Sequence, residues 1–478
     1  TPPPDALIIP AVAHADGINA HFQSDVRISN TSARLIDYQV TFTPSGESGI
    51  TQGQQTRFAI EPGRTVALDD VLKSWFGTGN GSAIGTLEIR PLTQTSTASA
   101  ALGMLANLTT FASSRTFNVT SSGTFGQYIP AVPFASFVGR ERLLSLQQIA
   151  QSSRYRTNLG LVEGSGHPAS LIVRVFGESG QYLTELNVDL RGGQHLQLNS
   201  FLREQGIGAL ADGRVEIEVA SGDGLVTAYA SVLDNETSDP LLVTPVTVDS
   251  VGATKWVVPG VADLASGFAN WQTDLRLFNA GAQPVEATFT FHSQSGAEPK
   301  VHTLTIGPGQ VRQFDKALVS LFETTNDAGA VHITTAEPSR LIATARTYNQ
   351  TGRGTYGQFI SAVTIPEAAS LGSRPLQLLQ VEESERFRSN IGIVEVTGKP
   401  VRVEISAVPP DAKFSAFTEL ELKPNEFRQL GSLLKSMGLD DTHNARVTVN
   451  VVGGEGRVTA YASVIDMQTN DPTYVPAQ

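Results

Sequence analysis

One segment of the chain is written twice, and this repetition constrains the fold more than any other feature. Residues 226–240 read VTAYASVLDNETSDP and residues 458–472 read VTAYASVIDMQTNDP, a separation of 232 positions (461 minus 229 for the shared tyrosine). A match of this length does not arise by chance, so one half of the protein duplicates the other.

Each half divides again into two types of unit. The odd type begins near Ile9-Pro10-Ala11 and near Val258-Pro259-Gly260, and the even type begins near Ile129-Pro130-Ala131 and near Ile360-Ser361-Ala362. We therefore predict four tandem domains, at residues 1–122 (odd), 123–248 (even), 249–353 (odd) and 354–478 (even). We also predict that residues 8–120 superimpose on 257–350, and 128–245 on 359–478, more closely than any odd unit on an even one.

Apolar residues alternate with a period of two through most of each unit. Leu171, Val173 and Val175 share one face of a predicted strand, and Ser221–Gly224 has the composition of a tight hairpin. Short strands separated by turn residues are typical of a two-sheet sandwich. The sequence thus predicts an all-β fold of four tandem Ig-like β-sandwich domains in two duplicated pairs.

One short amphipathic run interrupts the strand pattern in every unit. The residues that enter the four runs are Asp69, Asn199, Asp315 and Gly431. All are types favoured at a helix N-cap, so we predict one short helix per unit with these residues within two positions of the cap. Replacing Asp315 by Ala should then cost about 1 kcal/mol.

Composition excludes several classes of function. The net charge of −12 disfavours a nucleic-acid partner, which requires a basic face, and no apolar run is long enough for membrane insertion. The chain has no cysteine, so disulfides and thiolate chemistry are excluded. Because the sequence opens TPPPDALIIP without Met, we interpret it as a mature form left by a cleaved signal peptide, which predicts an extracellular or cell-surface location.

Two acidic loops are candidate calcium sites. They contain Asp234 and Asp239 in the first copy and Asp466 and Asp471 in the second. Carboxylate oxygens are suitable ligands for calcium, but the twelve-residue calcium-loop signature is absent. The alternative is an Asp/Asn turn that hydrogen-bonds its own backbone. No other cofactor is indicated.

Two pairs of arginines are candidate anion-binding residues. Arg154 and Arg156 in the first copy correspond to Arg386 and Arg388 in the second. Such pairs can bind a uronic acid or a phosphate in bidentate fashion. The alternative is a solvated strand face on which each Arg pairs with a carboxylate. No linear catalytic motif is present, and no catalytic residue is predicted, although a triad or a carboxylate pair is defined by geometry that a sequence does not reveal.

The junctions between units resemble a known kind of repeat. The patterns T-[YF]-G-Q-[YF]-I-x-A, at Thr124 and Thr355, and S-V-[LI]-D-x-x-T-x-D-P, at Ser231 and Ser463, are similar to tandem β-sandwich repeats of large proteins secreted by environmental bacteria. The resemblance implies a repeat type but no chemistry. Ser361 departs from it, because the other three units have Pro there.

Three functions are compatible with these features. The first is a secreted structural or adhesive protein, a semi-rigid rod of four sandwiches, as a subunit of an extracellular filament or surface layer or with a cell-surface partner. The second is an extracellular module that binds polysaccharide or protein. The third is a hydrolase without a linear signature.

The two ends of the chain suggest a route to a homopolymer. Thr1 to Ile9 form a proline-stiffened apolar arm, and Tyr474-Val475-Pro476-Ala477 resemble the start of another unit. Head-to-tail contacts of this kind build open filaments. The alternative is that the arm folds back as the first strand of its own sandwich.

Overall fold

A computed structural model describes residues 2–3, 5–17, 20–78, 81–92, 109–120, 123–248, 252–266, 269–352 and 354–478. Thr1 and Pro4 of the predicted arm lie outside these ranges. Of the structure, 63% is β-strand and 6% is helix. The strands form several antiparallel sheets, and the helices are short. The predicted all-β architecture of several sandwiches is therefore confirmed. None of the described helices has the length and apolar character needed to cross a bilayer.

Sandwich 1 is built on a long first strand that belongs to both of its layers. Its strands are β1 (Leu7–Gly17), β2 (Ala20–Asn30), β3 (Ile36–Pro44), β4 (Gln54–Ile60), β5 (Thr65–Leu68), β6 (Ala83–Pro91), β7 (Thr110–Thr120), β8 (Gly123–Pro130) and β9 (Val132–Pro133). The sheet order is β4-β3-β6-β1-β2-β7-β8, with β5 on β2 and β9 on β1. Most of β1 pairs with β6, and its last residues pair with β2.

Sandwich 3 repeats this topology strand for strand. Its strands are β19 (Ala253–Ser266), β20 (Ala269–Asn279), β21 (Val285–Ser293), β22 (Lys300–Ile306), β23 (Val311–Phe314), β24 (Asp327–Ser339), β25 (Leu341–Gln350), β26 (Thr355–Ser361) and β27 (Val363–Thr364). The order is β22-β21-β24-β19-β20-β25-β26, with β23 on β20 and β27 on β19.

Sandwiches 2 and 4 share a second topology with two separate sheets. Sandwich 2 contains β10 (Leu143–Gln151), β11 (Tyr155–Glu163), β12 (Ala169–Phe176), β13 (Tyr182–Leu190), β14 (His195–Leu198), β15 (Leu210–Gly222), β16 (Val226–Asp234), β17 (Pro240–Val243) and β18 (Val246–Val248). Sandwich 4 contains β28 (Leu376–Glu383), β29 (Phe387–Glu395), β30 (Val401–Val408), β31 (Ala416–Leu422), β32 (Phe427–Leu430), β33 (Thr442–Gly454), β34 (Val458–Asp466) and β35 (Pro472–Pro476). The orders β13-β12-β15-β10-β18 and β14-β11-β16-β17 are matched by β31-β30-β33-β28 and β32-β29-β34-β35.

The period-two pattern of apolar residues in the sequence corresponds to alternating burial along the strands. Along β12 every second residue is buried, including Leu171, Val173 and Val175. The duplicated strands β16 and β34 are buried at all nine positions because sandwiches pack on both of their faces. Tyr229 of β16 lies over Gly160, where a Cβ would stand 1.9 Å from the tyrosine ring, so the close approach requires glycine.

The short helices begin where the sequence predicts them, but they are not capped as predicted. The helices are α1 (Gly49–Gln52), α2 (Val71–Ser74), α3 (Phe201–Glu204), α4 (Ala317–Phe322) and α5 (Leu433–Ser436), with 3₁₀ turns at Phe134–Ser136 and Ile365–Glu367. For α2 to α5 the N-cap is the residue after the predicted one, it has a left-handed backbone, and its side chain makes no capping bond. Asp315 instead pairs with Arg276 at 2.6 Å. The capping role was wrong, and α1 was not predicted.

Sheet membership assigns two strands differently from the predicted ranges. β8 and β26 lie within the ranges 123–248 and 354–478, yet they pair with β7 and β25 of the preceding sandwich. Gly123, the first residue of β8, has a φ of 130°, which suits glycine. The odd sandwiches therefore extend past the predicted boundaries.

Both ends of the chain are bound within the molecule. Leu7 to Ile9 pair with β6, so the arm is the first strand of its own sandwich, the alternative given above. At the other end Gln478 donates hydrogen bonds to the carbonyl of Ala112 (3.2 Å) and to Tyr128 Oη (3.1 Å). The C-terminal residue thus contacts sandwich 1 of the same chain, and the homopolymer stays a prediction.

The four sandwiches form a closed arrangement, and the prediction of a rod is wrong. Sandwich 4 contacts sandwich 1 through the same positions by which sandwich 2 contacts sandwich 3. Gln380 donates to Ser113 Oγ at 3.0 Å, and the duplicate Gln148 donates to Thr344 Oγ1 at 3.2 Å. A rod would leave sandwiches 1 and 4 apart.

Candidate functional site

The acidic loops and the arginines predicted separately as sites meet at one junction. Four strands, β8, β17, β26 and β35, come together at the middle of the molecule. Phe125 of β8 stacks on Tyr356 of β26, the equivalent residue of the other half, with ring centroids 5.3 Å apart. The centre of the protein is therefore a pseudo-two-fold junction between its halves.

Asp466 links sandwich 4 to sandwich 1. Its Oδ2 accepts hydrogen bonds from the backbone N–H (2.9 Å) and the hydroxyl (2.8 Å) of Thr124, and from Arg386 at 3.2 Å. Its Oδ1 accepts from the N–H of Gln468. Burial opposes ionisation, but these bonds and the charge of Arg386 outweigh it and lower the pKa of Asp466.

Asp234 makes the corresponding link from sandwich 2 to sandwich 3. Its Oδ2 accepts from Arg154 (3.2 Å) and from the N–H of Thr355 (3.5 Å). Its Oδ1 accepts from the N–H of Glu236 at 2.9 Å, as in an Asx turn. Both loop aspartates are almost fully buried and serve as inter-sandwich contacts.

Asp239 and Asp471 are the second carboxylates of the two loops and are also buried in the junction. Gly126 N–H donates to Asp471 Oδ2 at 3.2 Å. Within the described chain, Oδ1 of each aspartate has no hydrogen-bond partner. Burial raises the pKa of Asp471 to about 8, against the opposing effect of Arg115. Burial, and next the charge of Asp471, raises the pKa of Asp239 well above its usual range.

Calcium binding by these aspartates stays a prediction. Among the described residues no group of three or more His, Cys, Asp or Glu is placed to hold a metal ion. Asp234 and Asp466 already accept hydrogen bonds from protein donors on both carboxylate oxygens.

The predicted arginine pairs separate into two roles. Arg154 and Arg386 are bound to Asp234 and Asp466, as the solvated-face alternative predicts. Arg156 and Arg388 have no carboxylate within 4.0 Å in the described part of the chain; they contact Asn235 and Asn390 instead. Of the predicted anion-binding residues, only these two keep a guanidinium free of a carboxylate.

Arg156 lines a cleft between sandwiches 1 and 2, which sequence reasoning did not find. The cleft has a volume of about 350 Å³, and its walls include Phe22, Gln127, Asn158 and Asn199. These residues come from distant parts of the chain, so no linear spacing could have grouped them.

Comparison with known proteins leaves the family open. No family model matches the chain, and no curated protein matches it. Three solved structures are similar at low level. Thermotoga maritima 1070 is 16% identical with a TM-score of 0.20 and covers 24% of this chain and 95% of its own. A tetra-tandem repeat from the extending region of a large adhesion protein is 11% identical with a TM-score of 0.11 and covers 98% of both chains. An α-L-rhamnosidase of Streptomyces avermitilis is 8% identical with a TM-score of 0.13 and covers 94% of this chain and 55% of its own. TM-scores this low establish no common fold, so the functional conclusion depends on the chain's own geometry.

Proposed function

We propose that this protein is a secreted structural or adhesive protein whose four β-sandwiches form one rigid body that presents binding surfaces outside the cell. The observation that carries the proposal is that the buried charged groups join neighbouring sandwiches. Asp234 and Asp466, with Arg154 and Arg386, bind neighbouring sandwiches to one another. Both carboxylate oxygens of each aspartate accept hydrogen bonds from protein donors, and the bonds from Thr124 and Thr355 cross between sandwiches.

A rigid assembly has a physical advantage for adhesion. Surfaces that are already in place lose less conformational entropy when they bind a partner. Clefts between sandwiches, such as the one lined by Arg156, keep their shape because both sides are fixed by the junction. This favours the polysaccharide-binding alternative as the way in which adhesion is achieved, with a cell-surface partner as the other route.

The proposal is tested with the full-length protein coupled to beads. Retention is measured under flow on surfaces coated with acidic polysaccharide, neutral polysaccharide and protein, beside beads that carry an unrelated acidic protein. We expect specific retention on at least one surface and no turnover of generic nitrophenyl esters or glycosides. Turnover without retention on any surface would favour the hydrolase and contradict the proposal.

A further inference from the structure

The cleft between sandwiches 1 and 2 has one apolar wall and one polar wall. Phe22, together with Ala15 and Leu233, supplies apolar surface, while Arg156 and four carboxamide residues supply polar groups. A volume of about 350 Å³ lies within the usual range for small-molecule sites, which combine an apolar lining with a few placed polar groups. The cleft therefore has the size and make-up of a ligand site.

The carboxamides of the cleft are left with donors rather than acceptors. Each of their carbonyl oxygens is engaged within the protein: Asn158 Oδ1 accepts from Ser200 N–H (2.9 Å), Asn199 Oδ1 from Gln197 Nε2 (2.8 Å) and Gln127 Oε1 from Ser231 Oγ (3.2 Å). The oxygen of Gln197 is likewise engaged, by Tyr229 Oη at 2.8 Å. Among the described residues the NH₂ groups of Gln127, Asn158 and Asn199 have no acceptor, and they complement a ligand rich in acceptor oxygens.

The cleft lining carries one cation, Arg156, and one carboxylate, Asp16. Arg156 donates to Asn235 Oδ1 through Nη1. The other guanidinium nitrogens are left to bind a ligand. Burial, and then the nearby charge of Arg203, lower the pKa of Arg156, so the two cations are neighbours. Asp16 is the carboxylate that lines the cleft, and it is paired with His21 at 2.8 Å. Arg156 and Arg203 together favour an anion next to the Arg156 guanidinium.

We propose that this cleft binds a uronic acid residue of an acidic polysaccharide, with Arg156 contacting the sugar carboxylate. A carboxylate complements the planar guanidinium. The amide donors of Gln127, Asn158 and Asn199 then meet ring and hydroxyl oxygens, and Phe22 packs on the apolar face of the sugar ring. The inference rests on the proposed extracellular role and gives it a ligand class.

The duplicated half supplies a matched control. At the positions equivalent to Asn199 and Asn235 the second copy has Gly431 and Met467. It therefore lacks one carboxamide of the cleft and the acceptor that holds Arg156. Arg388 instead donates to Asn390 Oδ1 on its own strand at 3.3 Å. The assignment is therefore to the first copy alone, and Arg388→Met removes the same charge without touching the cleft.

The test is calorimetric titration of the full-length protein with trigalacturonate, and with maltotriose as the neutral probe. We expect trigalacturonate to bind with a stoichiometry of one, to weaken with salt, and maltotriose to give no heat of binding. Arg156→Met should lower the affinity about tenfold or more, Arg156→Lys less, because it keeps the charge but loses the bidentate geometry. Arg388→Met should leave the affinity within about twofold of the wild type. Equal thermal melts of the variants show that the fold is kept.

Three results would overturn the site: no binding of trigalacturonate, equal binding of maltotriose, or the same affinity change in the Arg156→Met and Arg388→Met proteins. These failures are distinguishable from failure of the proposed function. Beads that adhere to neutral polysaccharide or protein surfaces, with no trigalacturonate binding in the calorimeter, would retain the adhesive role and reject the uronate site.

Discussion

At the scale of single residues, the buried carboxyls at the junction are the groups most sensitive to their surroundings. Asp239 and Asp471 are shielded from water and lie near each other, so ionising both is costly. Arg346 faces Asp239 and Arg115 faces Asp471, which partly offsets the cost, while Asp234 and Asp466 add to it. The favoured state in the folded protein is therefore one in which at least one of the pair holds a proton.

This state makes the stability of the protein depend on pH in a stated direction. The pKa of Asp471 is about 8 when folded and near the ordinary value of 3.8 when unfolded, so the folded chain binds the extra proton between these limits. Its stabilising contribution is full below the unfolded pKa and is lost as pH rises through the folded one. Asp471→Asn mimics the protonated carboxyl and removes the loss.

The measurement is the unfolding midpoint of wild type and Asp471→Asn at several pH values. We expect the variant to gain stability relative to wild type as pH rises from about 5 to about 8.5. Asp223→Asn, in an exposed hairpin, makes the same charge change and should show no such trend. A constant difference between Asp471→Asn and wild type across this range would contradict the raised pKa.

At the scale of elements, the short helices are positioned by the strand beside them rather than by their own first residue. Asp274 of β20 accepts a hydrogen bond from the backbone N–H of Lys316, the residue that precedes α4, at 3.0 Å. Asp25 and Asn158 do the same for Asp70 and Ser200 at 2.8 and 2.9 Å. A side chain from the neighbouring strand thus holds the left-handed turn from which the helix starts.

The helix prediction shows what the sequence could and could not specify. Local patterns of apolar residues and turn residues were enough to place α2 to α5 to within one residue. The partner of Asp315 was not predictable, because Arg276 lies on a distant strand and pairs with it only after the sheets form. The cleft around Arg156 was missed for the same reason, whereas the duplicated sandwiches followed directly from the repeat.

Two substitutions separate these roles. Asp274→Ala should lower the free energy of unfolding by about 1 to 3 kcal/mol, because a charged acceptor of a partly buried N–H is lost. Asp315→Ala should cost at most about 1 kcal/mol, since its side chain is 75% exposed and its ion pair is screened. Denaturant titration of both variants measures the difference. A larger loss of unfolding free energy for Asp315→Ala than for Asp274→Ala would restore the capping role of Asp315.

At the scale of the whole molecule, closure comes from using one interface twice. Arg276 of sandwich 3 pairs with Asp212 of sandwich 2, and the equivalent Arg27 of sandwich 1 donates to Asn444 of sandwich 4 at 2.7 Å. The first interface lies where the chain continues from one half to the other. The second has no covalent connection of its own, so only non-covalent contacts hold sandwiches 1 and 4 together.

We therefore expect the two halves to associate without the covalent link between them. Residues 1–248 and 252–478, expressed together as separate chains, should elute as one complex with the mass of the intact protein, measured by light scattering.

Gln148→Ala combined with Gln380→Ala removes an equivalent hydrogen bond from each interface and should shift the complex toward free halves. Phe111 and Phe278 are buried beneath Arg374 and Arg214, and their exposure on separation would make the free halves poorly soluble. Halves that elute as soluble monomers at micromolar concentration would show that the covalent link, and not the repeated interface, holds the arrangement closed.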